Sequence, residues 1–144
     1  MIEDDMYSPL KDANILVIDD SLPFQNLTHA MLTKFGVNSI EFASSLSEGL
    51  KKLHYTSSDR KGSIGYDMVL LDINLPDGNG VSGCDFVTHH VGTLDIPVII
   101  ISGAYNPLII EEVFRLGACD FIQKPFVSAL LKKRLCAVLN DVLL

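Results

Sequence analysis

Three short runs of uninterrupted apolar residues restrict what this chain can fold into more than any other feature. They are Ile15-Leu-Val-Ile18, Met68-Val-Leu-Leu71 and Val98-Ile-Ile-Ile101. A run that is apolar at every position has no face to offer to water, so it suits a strand covered on both sides, the usual condition of a parallel sheet. Residues 14–18, 68–71 and 97–101 are read as strands one, three and four. Residues 37–43 and 120–123 supply the second and fifth. Between the strands the apolar spacing turns helical. Ser21 is placed to cap a helix whose Phe24, Leu27, Ala30, Met31 and Phe35 share a face, with Gly36 ending it. Residues 46–54 form a second helix, with Leu46, Leu50 and Leu53 on one side. A third spans 82–91 with Gly83 weakening it, and a fourth runs from the Asn106 cap and Pro107 to Leu116, closed by Gly117. Residues 128–144 make the last. Residues 1–13 read as a loose polar leader, 55–65 as a loop and 76–80 as a turn. Five strands alternating with five helices imply one α/β domain over 14–144, built as a doubly wound five-stranded parallel sheet.

Charge narrows the function. Eighteen acidic side chains against eleven basic ones leave a net charge of −7, the wrong sign for replacing the counterions of a nucleic acid. Such a balance suits metal cations or partners with a basic face. The cysteines, Cys84, Cys119 and Cys136, have no paired or metal-binding spacing and read as small buried side chains in a reducing compartment. The histidines at 29, 54, 89 and 90 lack metal-ligand spacing as well. No signal-peptide order and no membrane-length apolar stretch occur, so a cytoplasmic location without membrane contact is expected.

Open parallel sheets bind ligands at the carboxyl ends of their strands. Strand one ends in Asp19-Asp20, strand three in Asp72, strand four in Ser102, and strand five runs into Lys124-Pro125. Two like charges about 4 Å apart repel by about 4 kcal/mol at an effective dielectric near 20. An acid cluster of this kind therefore calls for protons or a cation, and oxygen donors suit Mg²⁺. Asp72 can act as a carboxylate nucleophile, Lys124 as a fixed positive charge and Ser102 as a hydrogen-bond partner for a phosphoryl oxygen. Taken singly, an aspartate after a strand is as readily a helix cap, Ser102-Gly103 a loop, and Lys124 a solvated side chain. Four such groups at four strand ends are a different matter.

With these motifs in place (Asp19-Asp20, then residues 66–80 around Asp72, then 97–103 and 120–126), the chain resembles the receiver domain of bacterial response regulators over residues 14–144. The intervals from Asp72 to Ser102 and from Ser102 to Lys124 also agree with that family. The resemblance implies a flavodoxin-like sheet of strand order 2-1-3-4-5. It implies that Asp72 accepts phosphate from a phosphohistidine on a histidine kinase or histidine phosphotransfer protein. Asp20 and Asp72 would bind Mg²⁺ (or Mn²⁺) directly, Asn74 through its backbone carbonyl, and Asp19 largely through water. Lys124 would pair with phosphoryl oxygens beside a cis bond to Pro125, Ser102 would turn toward the phosphate, and Phe121 would follow as an aromatic switch. Helix 4, strand 5 and helix 5 would then form the output and dimerisation surface, facing a downstream effector or output domain. Two departures bear on that switch. Phe121 lacks the hydroxyl of the commoner tyrosine, and Ala104 has no side chain to orient or block an attacking water.

Within these residues no stretch is left for a DNA-binding or catalytic output domain. The expectation is a stand-alone or N-terminal receiver, a signalling phosphoacceptor rather than an enzyme. The alternatives are a receiver-shaped interaction module indifferent to phosphate, and an aspartyl-phosphate phosphatase, whose usual acidic motif after strand one is replaced here by Asp19-Asp20-Ser21-Leu22. The apolar last turn of the final helix, residues 138–144, leaves a dimer seam or a linker start open.

Overall fold

In the computed structural model, which describes residues 8–58, 65–89 and 96–143, each uninterrupted apolar run is an inner strand of a single sheet. Strands β1 (Asn14–Ile18), β2 (Ser39–Ala43), β3 (Met68–Asp72), β4 (Val98–Ser102) and β5 (Asp120–Gln123) are all parallel, in the order β2-β1-β3-β4-β5. Helices α1 (Leu22–Lys34), α2 (Leu46–Ser58), α3 (Gly80–His89), α4 (Pro107–Arg115) and α5 (Ser128–Leu143) connect or follow them. The architecture is the expected doubly wound, flavodoxin-like one.

Every residue of β1, β3 and β4 is buried, because alternate side chains serve opposite faces of the sheet and both faces are covered. Ile15, Val17, Leu70, Ile99 and Ile101 pack with Leu32, Leu131 and Leu135 of α1 and α5. Leu16, Ile18, Leu71 and Ile100 pack with Leu53, Cys84, Val87 and Val113 of α2, α3 and α4. Gly36 and Gly117 follow α1 and α4 with φ of 83° and 111°, the left-handed region that a glycine enters without steric cost.

Several boundaries differ from expectation. Residues 1–7 lie outside the described residues, yet the leader is folded from Ser8 onward. The Ser8 hydroxyl accepts from the Leu10 amide at 3.2 Å, capping a 3-10 turn (Pro9–Asp12) that buries Leu10 completely in the α1–α5 layer. One buried leucine in a polar stretch has no periodicity to announce it. Along α1 and its C-cap, Phe24, Met31 and Phe35 face inward as expected, but Thr28 and Leu32 take the deepest places, Leu27 is half exposed and Ala30 is exposed. Apolar residues surround much of this helix, so contact with the sheet, not spacing, selects its buried face. Strand β2 begins at Ser39, not at 37, and α3 begins at Gly80. Helix α2 continues to Ser58, taking four residues from the expected loop, because nothing in Tyr55-Thr-Ser-Ser58 breaks a helix. Residues 59–64, His90, Val91 and Leu144 are outside the described residues. Val138 and Leu139, at the start of the apolar last turn of α5, are buried in the domain's own core; the side chains of 141–143 and residue 144 lie outside the description.

The fit of α2 on β1 is tight. A Cβ built on Gly49 would lie 2.8 Å from Ile18 Cγ1 and closer still to its Cδ1. Ile18 is fully buried, so it has little room to give. Gly49→Ala should therefore lose about 1–2 kcal/mol of stability by overpacking despite alanine's better helix propensity. Urea unfolding of the two proteins measures this.

Candidate functional site

The register of the sheet aligns its carboxyl ends. Ile18 stands beside Leu71, Asp72 beside Ile101, and Ser102 beside Gln123. Asp19 and Lys124 continue the ladders by one bond each, Asp19 N donating to Ala43 O at 2.9 Å and Lys124 N to Ser102 O at 2.8 Å. Asp19, Asp72, Ser102 and Lys124 thereby stand side by side along one edge, with Asp20 a residue further out.

Asp19 and Asp72 are 1% and 6% exposed, whereas Asp20 is exposed. Oxygens of the three carboxylates lie within 4.8 Å of one another. The Lys124 ammonium sits between two of them, 2.6 Å from Asp19 Oδ2 and 3.4 Å from Asp72 Oδ2. The remaining acceptors are partly satisfied by backbone: Ser21 N donates to Asp19 Oδ1 at 2.8 Å and Asn74 N to Asp72 Oδ1 at 3.1 Å. Burial pushes the Asp72 carboxyl above the ordinary aspartate range, and Asp19 adds to this. The Asn74 amide and the Lys124 ammonium pull the other way.

The set fits a divalent cation. Oxygens on one Mg²⁺ at about 2.1 Å lie at most about 4.2 Å apart, so the three carboxylates need to close by only a fraction of an ångström. All the donors are hard oxygens, and the Asn74 residue is exposed on the same loop. The Ser102 hydroxyl is buried and accepts from the Ala104 amide at 3.1 Å. Phe121 is half-buried, packing against the α2–α4 layer on one side. On its other side it lines a groove of about 510 Å³ with Tyr105, Gln123, Lys124, Pro125 and Leu130. The Lys124–Pro125 peptide is cis.

Sequence reading missed three supports of this site. Phe24 was assigned only to the core, but its ring lies under Lys124 Nζ at 3.9 Å from the centroid and meets Phe126 edge-on at 5.7 Å. Gln25 donates through Nε2 to the Asp19 carbonyl and, at 3.2 Å, to Ser44 Oγ. The only signal for both was their place in the first turn after the Ser21 cap, whose hydroxyl accepts from Phe24 N at 3.3 Å. The third is Asp77, placed by sequence in a plain turn. That turn is an antiparallel ribbon pairing Asn74 with Asn79 and Leu75 with Gly78. Asp77 reaches from its tip to the start of α2, accepting from Leu46 N and Ser47 N, each at 2.8 Å. These two bonds lower the Asp77 pKa. An acid with a lowered folded pKa stabilises the fold above its unfolded pKa and loses that contribution as pH falls through the folded one. The stability difference between wild type and Asp77→Ala should thus be full at neutral pH and vanish on acidification below the ordinary aspartate range, as urea titrations across pH would record.

Comparison with known proteins agrees with this geometry. A family model described as the response regulator receiver domain matches residues 15–136. The chain is 32% identical over 139 residues to the 3',5'-cyclic-nucleotide phosphodiesterase regA of Dictyostelium discoideum, covering 96% of this chain and 16% of that protein. It is 30% identical over 126 residues to the phosphate regulon transcriptional regulatory protein PhoB of Pseudomonas aeruginosa, covering 88% of this chain and 51% of that one. The chain thus spans about half or less of the length of these relatives. Among solved structures, the CheX-CheY-BeF3-Mg²⁺ complex of Borrelia burgdorferi superposes with a TM-score of 0.80 at 24% identity, over 91% of this chain and 97% of that one. A CheY-like receiver domain protein of Methanospirillum hungatei gives 0.78 at 22% identity, over 91% and 96%.

Proposed function

We propose, for a chain that belongs to the response regulator receiver domain family, that Asp72 accepts a phosphoryl group from a phosphohistidine of a histidine kinase or histidine phosphotransfer protein, in a step that requires Mg²⁺. The observation that carries this reading is the convergence of Asp19, Asp20, Asp72 and Lys124 at one sheet edge. Asp20, Asp72 and the Asn74 carbonyl would hold the ion directly and Asp19 largely through water; Mn²⁺ would serve similarly. The bound ion supplies positive charge to the equatorial phosphoryl oxygens.

The chain's own groups account for the remainder. An Asp72 carboxylate oxygen attacks phosphorus as the phosphorus–nitrogen bond to the donor imidazole breaks, and the imidazole leaves with the electron pair. Asn74 N–H, bonded to Asp72 Oδ1, leaves Oδ2 as the attacking oxygen. Lys124, resting between Asp19 and Asp72 above the Phe24 ring, has only to shift its ammonium toward the new phosphoryl oxygens. The Ser102 hydroxyl gives up the Ala104 amide and donates to the phosphate, and Phe121 follows, repacking the adjoining groove. The surface of α4, β5 and α5 then presents a changed face to an output domain, an effector or a second copy. Tyr105, Leu108, Val127 and Leu130 are already exposed there, beside the Asp120–Arg134 ion pair at 2.7 Å. No helix among the described residues is long and apolar enough to cross a membrane, and the free cysteines suit the cytoplasm, where we place this activity.

Beryllofluoride with Mg²⁺, a stand-in for the phosphoryl group on the aspartate, tests the switch. Hydrogen exchange should change at Ser102–Ala104 and around Phe121 in wild type and stay unchanged in Asp72→Asn. An identical response in both proteins, or none in either, would leave a phosphate-independent interaction module.

A further inference from the structure

We propose that Asp77 is a positioning residue for the metal site, holding the Asn74 loop in register with the Asp19–Asp20 edge through the start of α2. The proposal rests on the phosphoacceptor reading above. Helix α2 carries its own cap: the Ser45 hydroxyl accepts from Glu48 N at 3.1 Å, and Glu48 Oε2 accepts from Ser44 N, just before the cap, at 3.0 Å. Gly49 N already makes the first intrahelical bond, to Ser45 O at 3.1 Å. Two further amides of this first turn, Leu46 N and Ser47 N, lie in exposed surroundings, where water would serve equally well. Both instead go to Asp77, about thirty residues further along the chain. Those bonds therefore fix the loop to the helix more than they cap the helix.

Packing reinforces the same junction. A Cβ on Gly78 would lie 3.1 Å from Leu46 Cδ2, and one on Gly83 would lie 2.7 Å from Leu46 Cδ1. The Leu46 side chain is thus wedged between the ribbon and the first turns of α3. On its other side α2 is pressed onto Ile18 at Gly49, and Ile18 is the residue before Asp19. Gln25 adds a second tie, joining the Asp19 carbonyl to Ser44 at the entrance of α2. One helix end therefore locates both halves of the metal site: Asp19 and Asp20 through β1, and Asn74 through the ribbon that Asp77 closes. Removing Asp77 leaves every metal ligand in the chain but frees the loop that aims one of them.

The test is the Mg²⁺ dependence of phosphorylation by acetyl phosphate, followed by intact mass on the full chain, for wild type, Asp77→Ala, Asp77→Asn and Ser45→Ala. Asp77→Ala should raise the half-saturating Mg²⁺ concentration by about tenfold, the low end of what removing a support behind a metal ligand does. Its maximal rate at saturating Mg²⁺ should stay near that of wild type. Asp77→Asn, which keeps one acceptor oxygen, should fall between. Ser45→Ala removes the helix's own cap and should lower the melting temperature without moving the Mg²⁺ requirement. An unchanged Mg²⁺ requirement in both Asp77 variants, or an equal rise in Ser45→Ala, overturns the positioning role while leaving Asp72 as acceptor. Wild type that takes no phosphate at any Mg²⁺ concentration overturns the function itself.

Discussion

Replacing Lys124 with methionine is expected to slow phosphorylation of Asp72 by about 10²–10³-fold, the usual cost of removing one preorganised group that stabilises transition-state charge. Lys124 is the one side chain whose ammonium already touches both Asp19 and Asp72, so no other described residue stands ready in its place. The same change should destabilise the metal-free protein by about 3 kcal/mol, because it strands the Asp19 carboxylate, 1% exposed, without the cation 2.6 Å away. Methionine is one heavy atom shorter but can still lie against the Phe24 ring, so the effect comes chiefly from the lost charge. A divalent cation bound by the carboxylates takes over the neutralisation, and the stability difference should shrink when Mg²⁺ is added. Urea unfolding in chelator and in Mg²⁺, with phosphorylation rates by intact mass, measures both effects.

Asp72→Asn should act in opposite directions on function and on stability. Phosphate acceptance should disappear, since an amide oxygen is no nucleophile at phosphorus. The metal-free protein should gain about 1–2 kcal/mol, because a buried negative charge next to another one is removed while the bond from Asn74 N–H can be kept. The lost attraction to Lys124, at 3.4 Å, is weaker than the one Lys124 makes with Asp19. Mg²⁺ should raise the melting temperature of wild type more than that of the variant. A variant less stable than wild type in chelator would mean that Lys124 already outweighs the burial and repulsion at Asp72.

The inner strands were legible because β1, β3 and β4 each contain four consecutive apolar residues (15–18, 68–71 and 98–101), which a two-sided parallel sheet requires and a helix face does not. The aligned site residues were legible for a related reason: a polar residue directly after such a run must stand at the strand's carboxyl end, where the sheet's register collects Asp19, Asp72, Ser102 and Lys124. What stayed hidden depends on contacts between distant segments. Leu10 sits in a polar leader and is buried only because α5 passes beside it. The face of α1 was misjudged at Leu27 and Thr28 because apolar residues lie on several sides of that helix. Asp77 looks like any turn aspartate until the turn is seen folded onto the start of α2. Phe24 acquires its place under Lys124 only when β5 and α1 meet at the same edge.

The central claim, that Asp72 is a Mg²⁺-dependent phosphoacceptor, is tested most directly by intact mass after incubation with acetyl phosphate, with Mg²⁺ or with chelator, in wild type and Asp72→Asn. A single phosphoryl adduct that forms only in wild type, only with Mg²⁺, and maps to the peptide containing Asp72 is the predicted result. An adduct that persists in Asp72→Asn or forms equally in chelator would contradict the account, as would the absence of any adduct in wild type.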